Sequence, residues 1–216
     1  MDSNYWSSRY QNKKTRWDLG KASPPLIEIF RHIDKNAKIL IPGCGNAYEA
    51  ESLFNSGYPN VYIIDLAKEP LEEFKKRNKS FPTCQIILGD FFTHFGEYDF
   101  IIEQTFFCAI QPTLRKKYVH KVHQLLKPGG MLLGVLFNRA FEGGPPFGGS
   151  QEEYKILFNE DKNVKDDNTL INQINHFADV VLKKIKPKVN GNDGLNSLKI
   201  FAAITKSAKT GKKIKI

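Results

Sequence analysis

Two glycines and a downstream aspartate have the spacing of a nucleotide-binding site. In the segment "ILIPGCGNAYE" an apolar run ends at Pro42, and Gly43 and Gly45 allow a ligand to approach the backbone closely. A helix is predicted directly after them, and its N-terminal amide groups favour negative charge. Asp65 ends the next apolar run, 20 residues beyond Gly45, where a carboxylate can accept hydrogen bonds from both hydroxyl groups of a ribose. The pair predicts a nucleotide-like ligand, although the glycines alone also fit a tight turn.

The glycine pattern departs from the one that binds NAD. Tyr48 stands where the dinucleotide fingerprint has its third glycine, so a pyrophosphate-binding helix is not supported. Asp90 and Phe91, in "LGDFF", follow a third apolar run and offer a carboxylate and an aromatic face to an adenine ring. Asp90 alone also fits the cap of a short helix. An adenosine-bearing ligand other than NAD is therefore favoured.

The cysteines and histidines form no recognisable catalytic or metal-binding pattern. Cys44, Cys84 and Cys108 are odd in number and widely spaced, which predicts neither a disulfide framework nor a zinc site. Cys108 is interpreted as a small buried apolar residue, and His120 and His123 as residues on a helix surface. We therefore expect no metal ion and no strong general base.

Apolar runs alternate with helical stretches over the first two thirds of the chain. The predicted strands are "AKILIPG", "NVYIIDL", "CQIILGD", "YDFIIEQ" and "MLLGVLF". The predicted helices between them are "NAYEAESLFNSG", "KEPLEEFKKRNKS" and "LRKKYVHKVHQLLKPGG". This alternation predicts a doubly wound α/β fold with a parallel sheet, and a ligand at the carboxyl ends of the strands.

The pattern changes after residue 150. "QEEYKILF" predicts a helix, and the segments "FADVVLKKIKP" and "SLKIFAAITK" flank the turn signal "NGNDG", which predicts a terminal antiparallel hairpin. The short segment "GGPPFGGS" at 143–150 is interpreted as a mobile active-site loop rather than a domain linker.

The net charge of +9 is confined to one part of the chain. Lys183–Ile216 contains ten lysines and one acidic residue, so the remainder is neutral and a basic surface for nucleic acid is not predicted. The end of that segment, 207–216, is interpreted as a solvated tail, with an RNA-binding or membrane-binding arm as the alternative. No apolar run approaches the roughly 20 residues that span a bilayer, so a soluble, cytoplasmic protein is expected.

These motifs resemble the class I S-adenosylmethionine-dependent methyltransferases. More narrowly, they are similar to the halide and thiol methyltransferase branch of the thiopurine S-methyltransferase superfamily. The resemblance runs from Trp6 to Phe158 and includes "WDLGKASP", "FFCAIQPTLRKKY", "LLKPGGMLLGVLF" and "GGPPF". It implies a Rossmann-like, mostly parallel sheet of seven strands that ends in a C-terminal hairpin. It also implies one methyltransferase domain over 1–206, in which 1–35 form a cofactor lid and the first helix.

The resemblance implies an S-adenosylmethionine site along the carboxyl edge of the sheet. The aromatic residues near the amino terminus would cover the cofactor, the glycine loop would hold its methionine part, and the residues after the second and third strands would hold its ribose and adenine. The residue pair after the fourth strand would line the cleft near the amino-acid part. The implied cofactor-binding residues are Trp6, Tyr10, Trp17, Gly43, Gly45, Asp65, Leu66, Asp90, Phe91, Glu103 and Gln104.

The acceptor implied by the resemblance is a small, soft nucleophile such as a thiol, a thiopurine or a halide ion. Arg115 matches an arginine that contacts the substrate in thiopurine-methylating relatives, although a solvated residue in the first turn of a helix is an alternative. Neither a thiol nor a halide ion needs a strong general base. The chain lacks the "YNS" segment and the arginine-glycine pair that relatives carry before the last strand, which weakens the acceptor assignment.

Two other functions remain open from the sequence. An RNA or protein methyltransferase of the same fold would use the basic carboxyl-terminal segment for docking. A non-catalytic nucleotide-binding domain would bind NAD or a related ligand without turnover. We expect a monomer that acts on a small molecule or an anion, with no membrane partner and no nucleic acid.

Overall fold

A parallel sheet of five strands forms the centre of the computed structural model, which describes residues 1–159. The predicted carboxyl-terminal hairpin, the domain end at residue 206 and the tail 207–216 lie outside the described residues. The strands run in the order β3-β2-β1-β4-β5 and every pair is parallel. They are β1 (Ile39–Pro42), β2 (Val61–Asp65), β3 (Ile86–Leu88), β4 (Tyr98–Gln104) and β5 (Leu126–Val135).

Six helices accompany this sheet within the same residues. They are α1 (Ser3–Gln11), α2 (Pro24–Phe30), α3 (Tyr48–Asn55), α4 (Lys68–Arg77), α5 (Arg115–Leu125) and α6 (Gln151–Asn159). Short 3₁₀ turns occupy Thr83–Gln85, Phe91–Thr93 and Pro112–Leu114. The doubly wound α/β class and all five strands predicted from alternation are confirmed, whereas the seven-strand count is not tested by the described residues.

The two faces of the sheet carry separate cores. One cluster joins α2, α3 and α4 to the sheet through Phe30, Leu53 and Phe74. The other is more aromatic and includes Tyr98 and Tyr118, neither of which is more than 2% exposed. Because both faces are covered, all four residues of β1 are buried, as expected for a central parallel strand.

The boundary between α5 and β5 differs from the prediction. The helix was expected to continue to the "KPGG" turn, but it ends at Leu125 and Leu126 already pairs with Tyr98 of β4. Pro128 lacks a backbone N–H and disfavours helical geometry in the residue before it, so the chain leaves the helix early. The sheet register then shifts, and regular pairing resumes at Phe100 with Met131.

The amino-terminal helix α1 lies on α4 rather than in the core. Asp2 caps it by accepting a hydrogen bond from the Tyr5 amide at 2.9 Å, and it contains no buried residue. The Gln11 side chain donates to the Glu69 carboxylate of α4 at 2.6 Å. These polar contacts hold α1 at the carboxyl end of the sheet. Within residues 1–159, no helix is long and apolar enough to cross a bilayer.

Candidate functional site

A cleft opens where the strand order reverses, between β1 and β4. In a doubly wound sheet the chain leaves these two neighbouring strands in opposite directions, which leaves a crevice at their carboxyl ends. The cleft is lined by the loop after β1, by Tyr10 and Trp17 from the amino-terminal segment, and by Gln104 and Thr105 from the end of β4. Thr105 has a positive φ of 62°, which a β-branched residue rarely adopts. Strained backbone of this kind often marks a functional site.

The loop after β1 is glycine-rich because two side chains from other segments approach its backbone. Gly43 has a φ of +55°, and a Cβ atom there would overlap the ring of Phe106. Gly45 has a φ of +53°, and a Cβ atom there would lie 2.8 Å from the hydroxyl oxygen of Tyr10. Both positions therefore require glycine, because Phe106 packs against the loop at Gly43 and Tyr10 packs against it at Gly45.

The Asp65 carboxylate is bonded to the glycine loop. Its Oδ2 accepts from the Gly45 amide at 2.8 Å, and its Oδ1 accepts from the Ala67 amide at 2.8 Å. Burial raises the pKa of this carboxyl, and the backbone hydrogen bonds oppose that shift. A carboxylate has about four acceptor positions. Asp65 lies behind the glycine loop and is not among the residues that line the cleft, so its contact with the hydroxyl groups of a ribose stays a prediction. The structure thus joins Gly45 and Asp65, the two parts of the predicted nucleotide motif.

The cleft has a negative character. Among the described residues that line it, Asp18 and Glu49 are acidic and Lys21 is the only basic one. Burial is the first cause of the raised pKa of Tyr10, and the charge of Asp65 is the second. The same two causes raise the pKa of Cys44. The first turn of α3 already carries Glu49, so the anion expected at that helix end is supplied by the protein itself. The cleft therefore suits a cation better than a pyrophosphate.

Aromatic residues of the amino-terminal segment cover the cleft. The Trp17 ring contacts the other two rings of this segment. Its centroid lies 5.7 Å from that of Trp6 and 6.0 Å from that of Tyr10, and both pairs pack edge to face. Trp6 itself does not line the cleft and reaches it only through Trp17. Asp18 was not predicted as a site residue, yet it lines the cleft and accepts a hydrogen bond from the side chain of Asn46. Its position beside Trp17 in "WDLG" was the available signal.

Glu103 and Gln104, predicted as a pair, have different environments. Glu103 is 2% exposed, so its carboxylate does not face water. It accepts hydrogen bonds from the amides of Phe106 at 3.0 Å and Phe107 at 2.8 Å, and from the Tyr118 hydroxyl at 2.9 Å. Burial nevertheless raises its pKa to about 7. It does not line the cofactor cleft, in contrast to the prediction.

The side chain of Gln104, a residue that lines the cleft, carries an unpaired acceptor. Its Oε1 atom is buried and has no hydrogen-bond partner among the described residues. A buried acceptor of this kind costs free energy unless a ligand donates to it. An ammonium group is a suitable donor, so Gln104 fits the predicted place near the amino-acid part of a cofactor.

A second cavity of about 140 Å³ adjoins the cleft. Gln104 and Thr105 line both spaces. The walls of the second cavity are mainly apolar and include Cys108, Phe137 and Tyr154. Sequence reasoning found Cys108 but assigned it no role, and it did not find Phe137 or Tyr154, because their convergence depends on how β5 and α6 pack.

Arg115 does not have the contacts expected of a substrate-binding residue. It is 3% exposed, and its guanidinium group donates to the Glu153 carboxylate at 2.7 Å and to the Gly148 carbonyl at 2.7 Å. The guanidinium carbon lies 4.8 Å from the centroid of the Phe107 ring. These partners do not fit the predicted substrate contact, and they equally contradict a solvated side chain. Arg115 joins α5 to α6 and to the loop 143–150.

The loop 143–150 is attached to this arginine and to the turn after β4. The Phe147 amide donates to the Cys108 carbonyl at 2.7 Å, and the Phe147 carbonyl accepts from Arg115 at 3.3 Å. The loop therefore contacts Cys108, a residue of the second cavity, without lining the cavity itself. Its predicted mobility and its role at an active site stay predictions.

Besides Trp6, Asp65 and Glu103, three further predicted cofactor residues lie outside the lining of the cleft. Asp90 caps the turn Phe91–Thr93 by accepting from the Phe92 amide at 2.8 Å, which agrees with the alternative interpretation. Phe91 is 2% exposed and packs on Phe106 and Tyr118, so the aromatic face expected beside adenine is buried in the core. Leu66 is half-buried at the end of β2. An adenine contact from Asp90 stays a prediction.

Comparison with known proteins gives a consistent family. The family model described as thiopurine S-methyltransferase matches residues 1–189. A probable thiol methyltransferase 2 of Arabidopsis thaliana is 32% identical over 162 residues, 70% of each chain. The thiocyanate methyltransferase 1 of Brassica oleracea is 27% identical and covers 66% of each chain. A thiopurine S-methyltransferase of Pseudomonas fluorescens is 24% identical, covering 73% of this chain and 82% of its own.

Solved structures with little sequence identity share the fold. The 1,6-didemethyltoxoflavin-N1-methyltransferase of Burkholderia thailandensis superposes with a TM-score of 0.61 at 18% identity, over 73% of this chain and 74% of its own. The magnesium protoporphyrin IX methyltransferase of Synechocystis has a TM-score of 0.59 at 11% identity, over 73% of this chain and 85% of its own. These similarities confirm the methyltransferase type of Rossmann-like fold.

Proposed function

Because the chain belongs to the thiopurine S-methyltransferase family, whose methyl donor is S-adenosylmethionine, we propose that it methylates the sulfur atom of a small acceptor. The donor would occupy the cleft between β1 and β4, and the acceptor would occupy the second cavity. The single observation that carries this proposal is that Gln104 and Thr105 line both spaces. Two ligands bound there would meet at these residues.

The cleft fits S-adenosylmethionine better than NAD. The donor carries an ammonium group and a sulfonium sulfur, both positive, and the cleft presents Asp18 and Glu49 with Asp65 behind the glycine loop. The unpaired Gln104 Oε1 would accept a hydrogen bond from the ammonium group. Asp65 would accept hydrogen bonds from the ribose. A pyrophosphate would meet like charges in the same place.

The amino-terminal segment would close the cleft over the donor. Trp17 and Tyr10 present ring edges and faces at the cleft, and aromatic faces attract a positive charge. They also exclude water, which strengthens every electrostatic interaction inside the cleft. Trp6 supports Trp17 from outside, which explains why an aromatic residue is useful there without contact to the ligand.

The protein needs to orient two ligands rather than to activate them. When bound, S-adenosylmethionine supplies an electrophilic methyl carbon that a nearby nucleophile takes up by displacing the sulfonium sulfur. Orientation of this kind contributes several kcal/mol to lowering a barrier. Gln104 and Thr105 hold the boundary between the two spaces, and the apolar walls formed by Cys108, Phe137 and Tyr154 exclude water from the acceptor side. A sulfur nucleophile is polarisable and tolerates such a wall.

A panel of acceptors tests the proposal. Purified protein is incubated with methyl-labelled S-adenosylmethionine and, separately, with ethanethiol, an aromatic thiol, thiocyanate, iodide and bulk RNA. We expect label in the products of at least one sulfur acceptor and none in RNA. Label in RNA alone would support the rival docking function of the basic carboxyl-terminal segment. Binding of the donor without transfer to any acceptor would refute the proposed reaction.

A further inference from the structure

We propose that Asp18 is a positioning residue for the methyl donor, because it attaches one wall of the cleft to the glycine loop. The wall is the segment 17–23, "WDLGKAS", which we call the strap. The inference rests on the function proposed above in treating the cleft as the donor site. It assigns a task to a side chain that the sequence did not single out.

The strap borders both ligand spaces. Its side of the cleft consists of Trp17, Asp18, Leu19 and Lys21. Its last residue, Ser23, lines the second cavity. The strap is neither helix nor strand, so no regular backbone pairing holds it in place. Its position therefore depends on individual hydrogen bonds.

The Asp18 carboxylate joins the strap to the glycine loop. Its Oδ2 accepts a hydrogen bond from the side-chain amide of Asn46, which lies 28 positions further along the chain. Its Oδ1 accepts from the Gly20 amide at 2.7 Å and shapes the turn of the strap, in which Gly20 has a φ of +67°. One side chain thus forms the turn and attaches it to a second segment that lines the cleft.

Asn46 is a fixed point of attachment. Its backbone carbonyl accepts from the guanidinium group of Arg77 in α4, and Arg77 also pairs with Glu51 of α3 at 3.2 Å. Asn46 directly follows Gly45, whose amide is bonded to Asp65 at 2.8 Å. The strap is therefore attached to a part of the molecule that α3, α4 and β2 hold together.

The far end of the strap has a contact of its own. The Ser23 amide donates to the Glu49 carboxylate at 2.8 Å, and α2, which has buried residues, begins directly after Ser23. The other end continues into α1, which has no buried residue. Loss of the Asp18 bond would therefore release the part of the strap that carries Trp17 and Leu19.

Leu19 indicates what the strap offers to a ligand. This residue lines the cleft and is 57% exposed, so a ligand that covers it would remove apolar surface from water. The adjacent Trp17 adds an aromatic ring to the same wall. Both Asp18 oxygens already accept protein donors, so the carboxylate acts on the donor through the position of this wall.

Two single variants and their combination test the bond. Asp18→Asn opposes two amide groups and Asn46→Asp opposes two carboxylates, so each should weaken the binding of S-adenosylmethionine by on the order of tenfold. In the double variant Asp18→Asn/Asn46→Asp, the new amide donates to the new carboxylate, and its oxygen still accepts from Gly20. We expect this variant to recover most of the lost affinity in titration calorimetry.

The sign of the Asn46→Asp effect separates attachment of the strap from a direct effect of charge. Asn46 lines the cleft, so this variant adds a negative charge beside the positive sulfonium of S-adenosylmethionine. Tighter binding by Asn46→Asp, with no recovery in the double variant, would overturn the inference, because the Asp18 charge would then act on the ligand itself. S-adenosylhomocysteine lacks the sulfonium charge, and its affinity should fall by the same factor in both single variants.

A second experiment needs no ligand. Arg16 and Lys21 are exposed on either side of Asp18, so trypsin can cleave the chain there once the strap leaves the glycine loop. We expect cleavage at both sites to be several-fold faster in Asp18→Asn than in the wild type, and close to the wild-type rate in the double variant. Cleavage at Lys79, which is exposed after α4, is the internal reference.

Asp34→Asn is the matched control for both experiments. The Asp34 carboxylate also accepts from the amide two residues ahead, at 2.8 Å, but it is exposed and does not line the cleft. The affinity and the cleavage rates of this variant should match those of the wild type.

The outcomes separate this inference from the proposed function. Wild-type affinity and wild-type cleavage rates in both single variants would overturn the inference, whatever the acceptor panel shows. Faster cleavage of Asp18→Asn that the double variant reverses, together with no binding of either ligand by the wild type, would refute the proposed function. That result would leave Asp18 as the residue that holds the strap.

Discussion

At the scale of single residues, the carboxylates of Asp65 and Glu103 have different surroundings. Asp65 accepts hydrogen bonds from the Gly45 and Ala67 amides and has acceptor positions left for a ligand. Glu103 is buried, and both of its oxygens are occupied by the Phe106, Phe107 and Tyr118 donors. The two carboxylates thus differ in how much of their hydrogen-bonding capacity remains for a ligand.

Asp65→Asn should weaken the binding of S-adenosylhomocysteine by about 1 to 3 kcal/mol, because hydrogen bonds to a charged acceptor are lost. Isothermal titration measures the change, and thermal unfolding shows whether the glycine loop is still formed. Asp34→Asn is the matched control, since Asp34 also accepts from the amide two residues ahead but is exposed and away from the cleft. Equal affinity in wild type and Asp65→Asn would remove Asp65 from the site.

Glu103 should make the stability of the protein depend on pH. Its pKa lies near 4.5 in the unfolded chain and about 7 in the fold, so the folded state holds an extra proton between these values. The contribution to stability is complete below pH 4.5 and is lost as the pH rises through 7, by roughly 3 kcal/mol. The side-chain amide introduced by Glu103→Gln stays neutral over this whole range, so that variant should lack the loss.

Urea unfolding of the wild type and Glu103→Gln at several pH values measures that difference. The difference between the two curves cancels the contributions of other titrating groups. A difference that stays constant from pH 4.5 to pH 8 would show that Glu103 ionises normally in the fold.

At the scale of elements, the amino-terminal segment and the α5–α6 pair have separate functions. The segment from α1 to Trp17 contributes Tyr10 and Trp17 to the cleft and is held by surface contacts, with no buried residue in α1. Helix α6 contributes Tyr154 to the wall of the second cavity and is joined to α5 by the Arg115–Glu153 pair. Changes in the first element should affect ligand binding, and changes in the second should affect stability.

Trp17→Ala should weaken the binding of S-adenosylhomocysteine by about 1 to 2 kcal/mol with little change in Tm, because the ring lines the cleft but α1 adds little to the core. Trp6→Ala is the comparison, and its effect should be smaller because Trp6 contacts Trp17 rather than the cleft. Titration calorimetry measures the affinity of both variants for S-adenosylhomocysteine. A larger effect from Trp6→Ala would mean that the arrangement of the lid is different.

Arg115→Met should lower the free energy of unfolding by about 2 to 4 kcal/mol, because Glu153 and two carbonyl groups lose a buried donor. Lys117→Met, on the exposed side of α5, should cost less than about 1 kcal/mol. The residual kcat/KM of Arg115→Met should fall by the same factor for iodide and for ethanethiol. A loss of kcat/KM that is larger for iodide than for ethanethiol would instead support the substrate contact that the family resemblance implies for Arg115.

At the scale of the whole molecule, the sequence predicts those features of the fold that depend on short-range patterns of residues. Alternating strands and helices, the turn at Gly43 and Gly45, and the distance to Asp65 follow from short-range patterns, and the structure confirms the resulting sheet and its cleft. The contact between Arg115 and Glu153 joins residues that are 38 positions apart, and no local pattern predicts it. The second cavity likewise depends on side chains from four separate segments.

The same distinction explains the errors at individual site residues. Phe91 follows β3 and Glu103 lies near the end of β4, but both side chains contact Tyr118 in the core. Periodicity places a residue on an element and leaves open which neighbour covers its side chain. Burial and charge, which decide the roles of Glu103 and Arg115, therefore needed the structure.

The most direct test of the central claim is a crystal structure of the protein with S-adenosylhomocysteine. We predict the amino-acid part of the ligand beside Gly43 and Gln104, the ribose at Asp65, and the sulfur facing the second cavity under Trp17. A ligand bound elsewhere, or a complex in which Asp65 and Gln104 face different cavities, would contradict the account.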